Sequence, residues 1–338
     1  MTSTMHDVAK AAGVSAMTVS NVLNGRGRVG ETTRERVESA AADLGYSLNL
    51  TARHLREGRT HTIALIVPQL DHAYFGELAA RFDRLLQPSG RHLVVEQTRA
   101  HPEAERSALS PARLRLYDGV LMSVVGLRPE EVAGIQPSVP VVMLGEQDIP
   151  DRFDHVRMSN FEGARLATAH MLQKGSRRIV LLGGARDQDD TSGMARRRTR
   201  GWRAAHHDAG ASVPEELIVP LATPTAQLGY DAIQQLLADR VDFDGVFAVT
   251  DALATGVLSA LSQTSLRVPE DVQVIGFDDL DSSRFTVPPL STIAPGDEQM
   301  AAEALRLLDR LIEASPEDPP AREHLTAPVS LIERGTTR

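Results

Sequence analysis

Between Ala16 and Leu23, the side chains of Val19, Val22 and Leu23 recur at helical spacing and point one way. Ala16, Met17, Ser20 and Asn21 are thereby turned the other way, with Thr18 at the margin. That outward face is small, polar and uncharged, so it can be pressed close along the edges of stacked base pairs. Residue combinations that carry covalent or metal chemistry are not found. The 338 residues include no Cys, which removes disulfides, thiolate nucleophiles and Cys-based zinc sites and suits a reducing compartment. His206 and His207 are adjacent, about 100° apart on a helix, and are read as surface residues rather than as a metal pair. Gly183-Gly184 follows an apolar run, but no G-x-G-x-x-G or G-x-x-x-x-G-K-[ST] loop follows to cradle a phosphate, and there is no G-x-S-x-G elbow. No catalytic residue, cofactor or metal is expected.

The base-edge face needs a packed unit to hold it. Thr4-Met-His-Asp7 has the Ser/Thr-x-x-Asp/Glu form of a capping box, and Val8, Ala9 and Ala12 then share one helical face that ends at Gly13. Ser15 can cap the second helix after a three-residue turn, and Gly25 and Gly27 break it. Arg34 to Leu44 reads as a third helix with Val37, Ala40, Ala41 and Leu44 inward. Three such helices form a minimal helix-turn-helix, whose second helix enters the major groove. Charge agrees with this division. The first sixty residues carry eight Lys/Arg against six Asp/Glu, a balance of +2, so a total of −9 leaves −11 on the rest. A mildly basic head on an acidic body suits a chain in which only one end meets phosphates.

The spaced run Asp7-Val-Ala-Lys-Ala-Ala-Gly-Val-Ser15, Thr18-Val-Ser20, Val22-Leu-Asn24-Gly25, Thr33-Arg34 and Leu44-Gly-Tyr46, continuing through Asn49, Ala52 and Leu55, resembles the headpiece and hinge of the lac repressor/gal repressor family. The resemblance implies a DNA-binding headpiece over 1–47, a hinge helix and linker over 48–61 and an effector-binding, dimerising body over 62–338. It places base readout at Ala16, Met17 and Asn21. Asn21 could bond adenine, while Ala16 and Met17 could offer apolar contact to a thymine methyl. Lys10, Ser15, Thr18, Asn24, Arg26, Arg28 and Arg34 become candidates for phosphate contacts, each neutralised phosphate adding about −0.9 to the salt slope. Asn49, Ala52, Arg53 and Leu55 would form the minor-groove hinge, with Leu55 wedged between base pairs. The alternative for Leu55 is packing on the body. Leu48 stands where the family often has proline.

Past the polar linker Glu57–Thr62, apolar runs at Ile63–Val67, Leu93–Val95, Gly119–Met122, Val139–Leu144, Ile179–Leu182, Val246–Val249 and Val272–Gly276 alternate with helical stretches. Such alternation predicts an α/β body of parallel sheets covered by helices. The resemblance extends over this part through Asn160-Phe-Glu-Gly163, Arg177-Arg-Ile179 with Gly183-Gly184, Arg196-x-Arg198 before Gly201, Ile275-Gly-Phe-Asp-Asp279 and Pro288-Pro-Leu-Ser-Thr-Ile293. It implies a two-lobed, type I periplasmic-binding-protein-like body, with lobe one about 62–158 and 293–323 and lobe two about 160–291 and 325–338. Ligands of doubly wound lobes sit beyond the carboxyl ends of the strands. The expected lining is Asp71, Tyr74 and Phe75 in the loop after the first strand, with Thr98, from lobe one. Lobe two would supply Phe161, Arg196, Arg198, Thr250 and Asp278. Arg198 and Asp278 align with the family's effector-binding pair, and Tyr74 or Phe75 could stack on an apolar ring face. A group that both donates and accepts favours a sugar or nucleoside. Duller alternatives are a solvated helix start at Arg196–Arg200 and a turn cap at Asp278 or Asp279. His72-Ala73, Ser159 and Thr250 depart from the family's usual residues, which keeps a protein corepressor open.

The expectation is a non-enzymatic, sequence-specific transcriptional regulator, a repressor rather than an activator, whose partners are double-stranded operator DNA, a small-molecule effector and a second copy of the chain. No tetramerising heptad follows Leu331–Arg334. The amino terminus lacks a basic stretch followed by an apolar run, and nothing approaches the about 18 apolar residues of a membrane span, so a cytoplasmic location is expected. A transport solute-binding protein, the other reading of the body, would have no use for residues 1–56. Leu55→Ala should weaken specific operator binding in a gel-shift titration while leaving small-molecule affinity intact; unchanged operator affinity would refute the wedge role.

Overall fold

A computed structural model describes residues 3–23, 29–46, 58–186, 193–211, 213, 215–315 and 317–338. The chain divides into two compact units, 1–60 and 61–338. In the first, α1 (Met5–Ala12), α2 (Ala16–Leu23) and α3 (Glu31–Asp43) enclose Val8, Ala9, Ala12, Val19, Val22, Val37, Ala40 and Ala41. The Thr4/Asp7 capping box starts α1, and Gly13 in the left-handed region ends it. The Ser15 hydroxyl accepts from the Thr18 amide at 3.1 Å to start α2. Helix α3 begins three residues before Arg34 and stops before Leu44. Leu44 is 36% exposed rather than inward, because as the C-cap it lies beyond the last helical turn.

Among the described residues, the second unit contains two parallel sheets and a two-stranded antiparallel ribbon. The first is wholly parallel, in the order β11-β5-β4-β3-β1-β2, from β1 (Thr62–Val67), β2 (His92–Gln97), β3 (Gly119–Ser123), β4 (Val141–Leu144), β5 (Asp154–Met158) and β11 (His324–Ala327). The period-2 rule sorts its residues. Ile63, Leu65 and Val67 pack under α4 (Ala73–Leu86) and α12 (Asp297–Glu313), against Leu78, Phe82, Met300, Ala304 and Leu308. Ala64 and Ile66 meet Leu109, Leu114 and Val132 on the other face. Both faces are covered, which is why these strands read as unbroken apolar runs.

The second sheet, β7-β6-β8-β9, is parallel too, from β6 (Ile179–Leu182), β7 (Ile218–Val219), β8 (Gly245–Ala248) and β9 (Gln273–Ile275). Helices α8 (Asn160–Gln173), α9 (Gly193–Asp208), α10 (Ala226–Ala238) and α11 (Asp251–Leu261) flank it around Trp202, Phe247 and Phe277. A short antiparallel ribbon joins β10 (Thr292–Ala294) to β12 (Ser330–Ile332).

Three further expectations need correction. Tyr74 and Phe75 belong to the first turn of α4 rather than to the loop after β1, which is only Pro68–His72. Residues 325–327 belong to lobe one, because β11 pairs in register with β5, Leu325 opposite Val156, so the chain returns to lobe two only after Ala327. His206 is buried: its Nδ1 lies 2.9 Å from the Trp202 carbonyl and its ring meets the Trp202 ring edge-on. Only His207 stays at the surface, one residue and about 100° further round α9. Strands β5, β7, β10, β11 and β12 had no counterpart among the apolar runs.

Helices α8 and α9 touch through Gly201. A Cβ there would lie 2.1 Å from the Phe161 carbonyl oxygen and 2.9 Å from the Ala164 Cβ. Gly201→Ala should therefore push α9 off α8 and destabilise the body by about 1–3 kcal/mol, read by denaturant unfolding. An unchanged midpoint would show that the two helices can separate without cost.

Candidate functional site: the interlobe cleft and the helix-turn-helix face

Arg198 projects from the second turn of α9 into a cavity of about 290 Å³ between the lobes, at the carboxyl ends of the strands. It is 2% exposed, and a guanidinium so buried must be surrounded by acceptors. Its Nε donates to Asn160 Oδ1 at 2.6 Å, and Nη1 donates to the Val249 carbonyl. Nη2 lies 3.9 Å from Asp278 Oδ1, and the guanidinium carbon sits 3.4 Å from the centre of the Phe277 ring. Gly163 makes room for that ring, since a Cβ there would be 2.6 Å from it.

Asp278 is held by a strained backbone. Its φ is 126° and that of Asp279 is 50°, both unusual for non-glycine residues. The surroundings over-determine this loop. The Asp278 amide donates to the Ile293 carbonyl at 2.9 Å, and Arg334 pairs with Asp279. Buried Asp251 accepts from the Leu280 amide at 2.9 Å, the Ser283 hydroxyl at 2.7 Å and the Thr292 hydroxyl at 2.5 Å. Asp251 thus fastens the Asp278 loop to strand β10.

Lobe one faces Arg198 with His72, Tyr74, Phe75 and Glu146. The Glu146 side chain is 10% exposed; Oε1 accepts from the Met158 amide at 3.0 Å. Glu146 Oε2, His72 Nδ1 and Asp278 Oδ2 are buried with no hydrogen-bond partner. Burial pushes the Glu146 carboxyl up, opposed first by hydrogen bonds from the Asn160 side chain and the Met158 amide and then by Arg198; burial pushes the Asp278 carboxyl well up, with Arg198 pulling it back. Burial, with help from Arg198, lowers His72. Burial and the Asp297, Asp278 and Glu146 carboxylates raise the Tyr74 phenol well above its ordinary value, so Tyr74 stays a neutral hydroxyl.

Of the residues expected in this cleft, Tyr74, Phe75, Arg198, Thr250 and Asp278 line the cavity. Asp71, Thr98, Phe161 and Arg196 do not. Arg196 is two residues from Arg198, about 200° round the helix, and is exposed. Phe161 is one position past the inward Asn160 and is 45% exposed. Asp71 lies on the surface before α4, and Thr98 turns its hydroxyl back to the Val67 carbonyl at 3.4 Å. The Thr250 hydroxyl accepts from the Leu253 amide as the cap of α11. Sequence reasoning missed Glu146, His72 and Asn160. The position of Glu146, just past the apolar run Val139–Leu144, was the available signal.

In the first unit, Met17 is 73% exposed, Asn21 half-buried, and Ala16 partly turned against the core. Lys10 is exposed, Arg34 half-buried, and the Ser15 and Thr18 hydroxyls lie 2.9 Å apart. Asn24, Arg26, Arg28, Asn49, Ala52, Arg53 and Leu55 lie outside the described residues.

Residues 4–49 match the family described as bacterial regulatory proteins, lacI family, and residues 168–337 match a periplasmic binding protein-like domain. The ribose operon repressor of Escherichia coli (strain K12) is 32% identical over 98% of this chain and 99% of its own. The chain belongs to the lacI family. The lac repressor solved bound to ONPG in its repressed state is 26% identical and superposes with a TM-score of 0.81 over 100% of both chains. A CelR–cellobiose complex is 28% identical, with a TM-score of 0.70 over 99% of both. This lacI-family chain is thus a DNA-binding transcriptional regulator from a non-enzymatic family, with a type I periplasmic-binding-protein-like body. Among the described residues, no helix is long and apolar enough to cross a membrane.

One more carboxyl sits beside the cleft of this lacI-family regulator. Burial raises Asp297 from 3.8 to about 7, opposed by Arg81 and assisted by Glu77, Asp279 and Glu298. A carboxyl whose folded value is raised contributes stability that is fully present below about pH 4 and lost as pH rises through about 7. Asp297→Asn should flatten the stability profile between those values and leave the variant roughly 1–3 kcal/mol more stable than the parent above pH 7. Parallel denaturant melts across pH test this; identical profiles would show that Asp297 ionises freely.

Proposed function

We propose that this regulator binds a near-palindromic operator as a cytoplasmic homodimer and that a sugar or nucleoside held between the lobes sets its operator affinity. The observation that carries the effector assignment is a trio of buried, partnerless atoms, His72 Nδ1, Glu146 Oε2 and Asp278 Oδ2, on residues that line one cavity with Arg198. Unpartnered buried acceptors are costly, and ligand hydroxyls are the groups that satisfy them. Phe75, near these polar atoms, offers an apolar surface for a ring face. Relatives named for ribose and solved with cellobiose agree with a hydroxylated ligand.

Twofold symmetry is the usual way a helix-turn-helix regulator matches two half-sites. Edge strand β2 and the adjacent α4 leave Val94 38% and Leu85 40% exposed, apolar area suited to a second copy. In the headpiece, Ala16, Met17 and Asn21 read bases, while Lys10, Ser15, Thr18, Asn24, Arg26, Arg28 and Arg34 contact phosphates. Asn49, Ala52, Arg53 and Leu55 act in the minor groove. Ligand enters with the lobes apart and holds them together by bridging Glu146 on lobe one to Asp278 and Arg198 on lobe two. The strain this relieves is coupled to the DNA site by about 1–3 kcal/mol.

Arg198→Ala and Asp278→Ala should abolish the ligand response while preserving the operator complex. A thermal-shift screen of sugars and nucleosides finds the ligand, because binding raises the melting temperature of the folded state. Calorimetry then compares the variants, with circular dichroism confirming their fold. Full ligand affinity in both would remove the cleft from the effector site.

A further inference from the structure

We propose that Glu146 makes the cleft selective for uncharged hydroxylated effectors and against their phosphorylated counterparts. The inference rests on the cleft being the effector site. Arg198 is the one Lys or Arg among the described residues lining the cavity. Its donors are already directed at Asn160, the Val249 carbonyl and Asp278. Against it stand two carboxylates, Glu146 and Asp278. With Glu146 ionised, the described cavity wall carries no surplus positive charge, whether or not Asp278 holds its proton.

Glu146 decides the sign because no cation hydrogen-bonds to its second oxygen; the donor beside the carboxyl is the neutral Asn160 amide. Oε1 is occupied by the Met158 amide, whereas Oε2 is buried and unpartnered. The nearest other cation, Arg197, is 3.7 Å from Oε2 and directs its hydrogen bonds to the Glu146 carbonyl at 3.4 Å and to Asp148 at 3.0 Å. An uncharged hydroxylated ligand meets this carboxylate in the cavity wall at no electrostatic cost. A phosphoryl group has no proton to spare at neutral pH and carries about −1.5 to −2 charge, so beside Oε2 it meets repulsion in a water-poor site. The rest of the described wall adds no positive charge: Gln69, Ser123, Gln147, Thr223 and Thr250 are neutral, and Val124, Val125, Met194, Ala222 and Pro224 are apolar. Such a wall suits a glycoside or nucleoside with an apolar substituent better than an anionic metabolite.

The test titrates the full-length protein and its Glu146→Gln variant with D-ribose, D-glucose and adenosine, and with ribose 5-phosphate, glucose 6-phosphate and adenosine 5′-monophosphate. Glutamine keeps the shape and the Met158 contact, and ligand-free melting confirms that the variant folds. For whichever pair has a binding neutral member, the phosphorylated member should bind the parent about a hundredfold more weakly. That penalty should shrink by about tenfold or more in the variant. A phosphorylated compound that binds the parent as tightly as its neutral partner overturns the inference and leaves the effector site standing. An undiminished penalty in the variant removes Glu146 from the role. If no compound of either series binds, the sugar or nucleoside reading falls, and this inference with it.

Discussion

A guanidinium cannot be buried in an α/β interior unless the chain surrounds it with oxygen, and the compensation of Arg198 organises the cleft of this regulator. Asn160 comes from the start of α8, the Val249 carbonyl from the end of β8, and Asp278 from the loop after β9. Three separate elements of lobe two must therefore be correctly placed before the charge is tolerable, since an uncompensated buried charge costs several kcal/mol. The close packing of α8 on α9 through Gly201, and of Phe277 against Gly163, is the mechanical support for that placement.

The same loop that supplies Asp278 is fastened to the segment that crosses between lobes. Asp251 bonds at once to the Leu280 amide, to Ser283 and to Thr292 of β10, while β10 pairs with β12. A ligand that draws on Asp278 therefore acts on a residue whose backbone is already strained and whose neighbours are the crossover itself. Strain held at a loop by hydrogen bonds such as those of Asp251 is a means of making one arrangement sharply preferred. Across the rim, Glu77 of lobe one accepts from the Asp281 amide at 3.0 Å, and Arg197 of lobe two reaches Asp148 of lobe one. These contacts add to the lobe-to-lobe junction without entering the cavity.

Legibility in the sequence followed the strength of the periodic signal. The α1–α2 unit was readable because capping residues, a turn glycine and an i, i+3, i+4 apolar stripe agree at one place. The doubly covered strands of both sheets were readable as apolar runs. By contrast β5 and β11 include Asp154, His155, Arg157, His324 and Thr326, and their polar content hid them. Asp154 is buried there because Arg310 and Arg322 neutralise it at 2.9 and 3.1 Å, partners over 150 residues away in sequence. His206 was misjudged for a related reason: its Nδ1 faces the carbonyl of Trp202 one helical turn earlier and its ring lies against the indole.

By itself the sequence determined that a small basic headpiece with an uncharged face precedes an acidic α/β body. These properties reside in local spacing, residue type and charge count, which no distant contact can change. Only the tertiary structure decided which polar side chains meet. Arg198 turns inward and Arg196 outward, Phe161 leaves the cleft, and Glu146 and His72 enter it from lobe one. The physical reason is that a cleft between lobes is built from loop ends brought together across long stretches of chain, and side-chain direction there depends on the exact phase of each helix and loop.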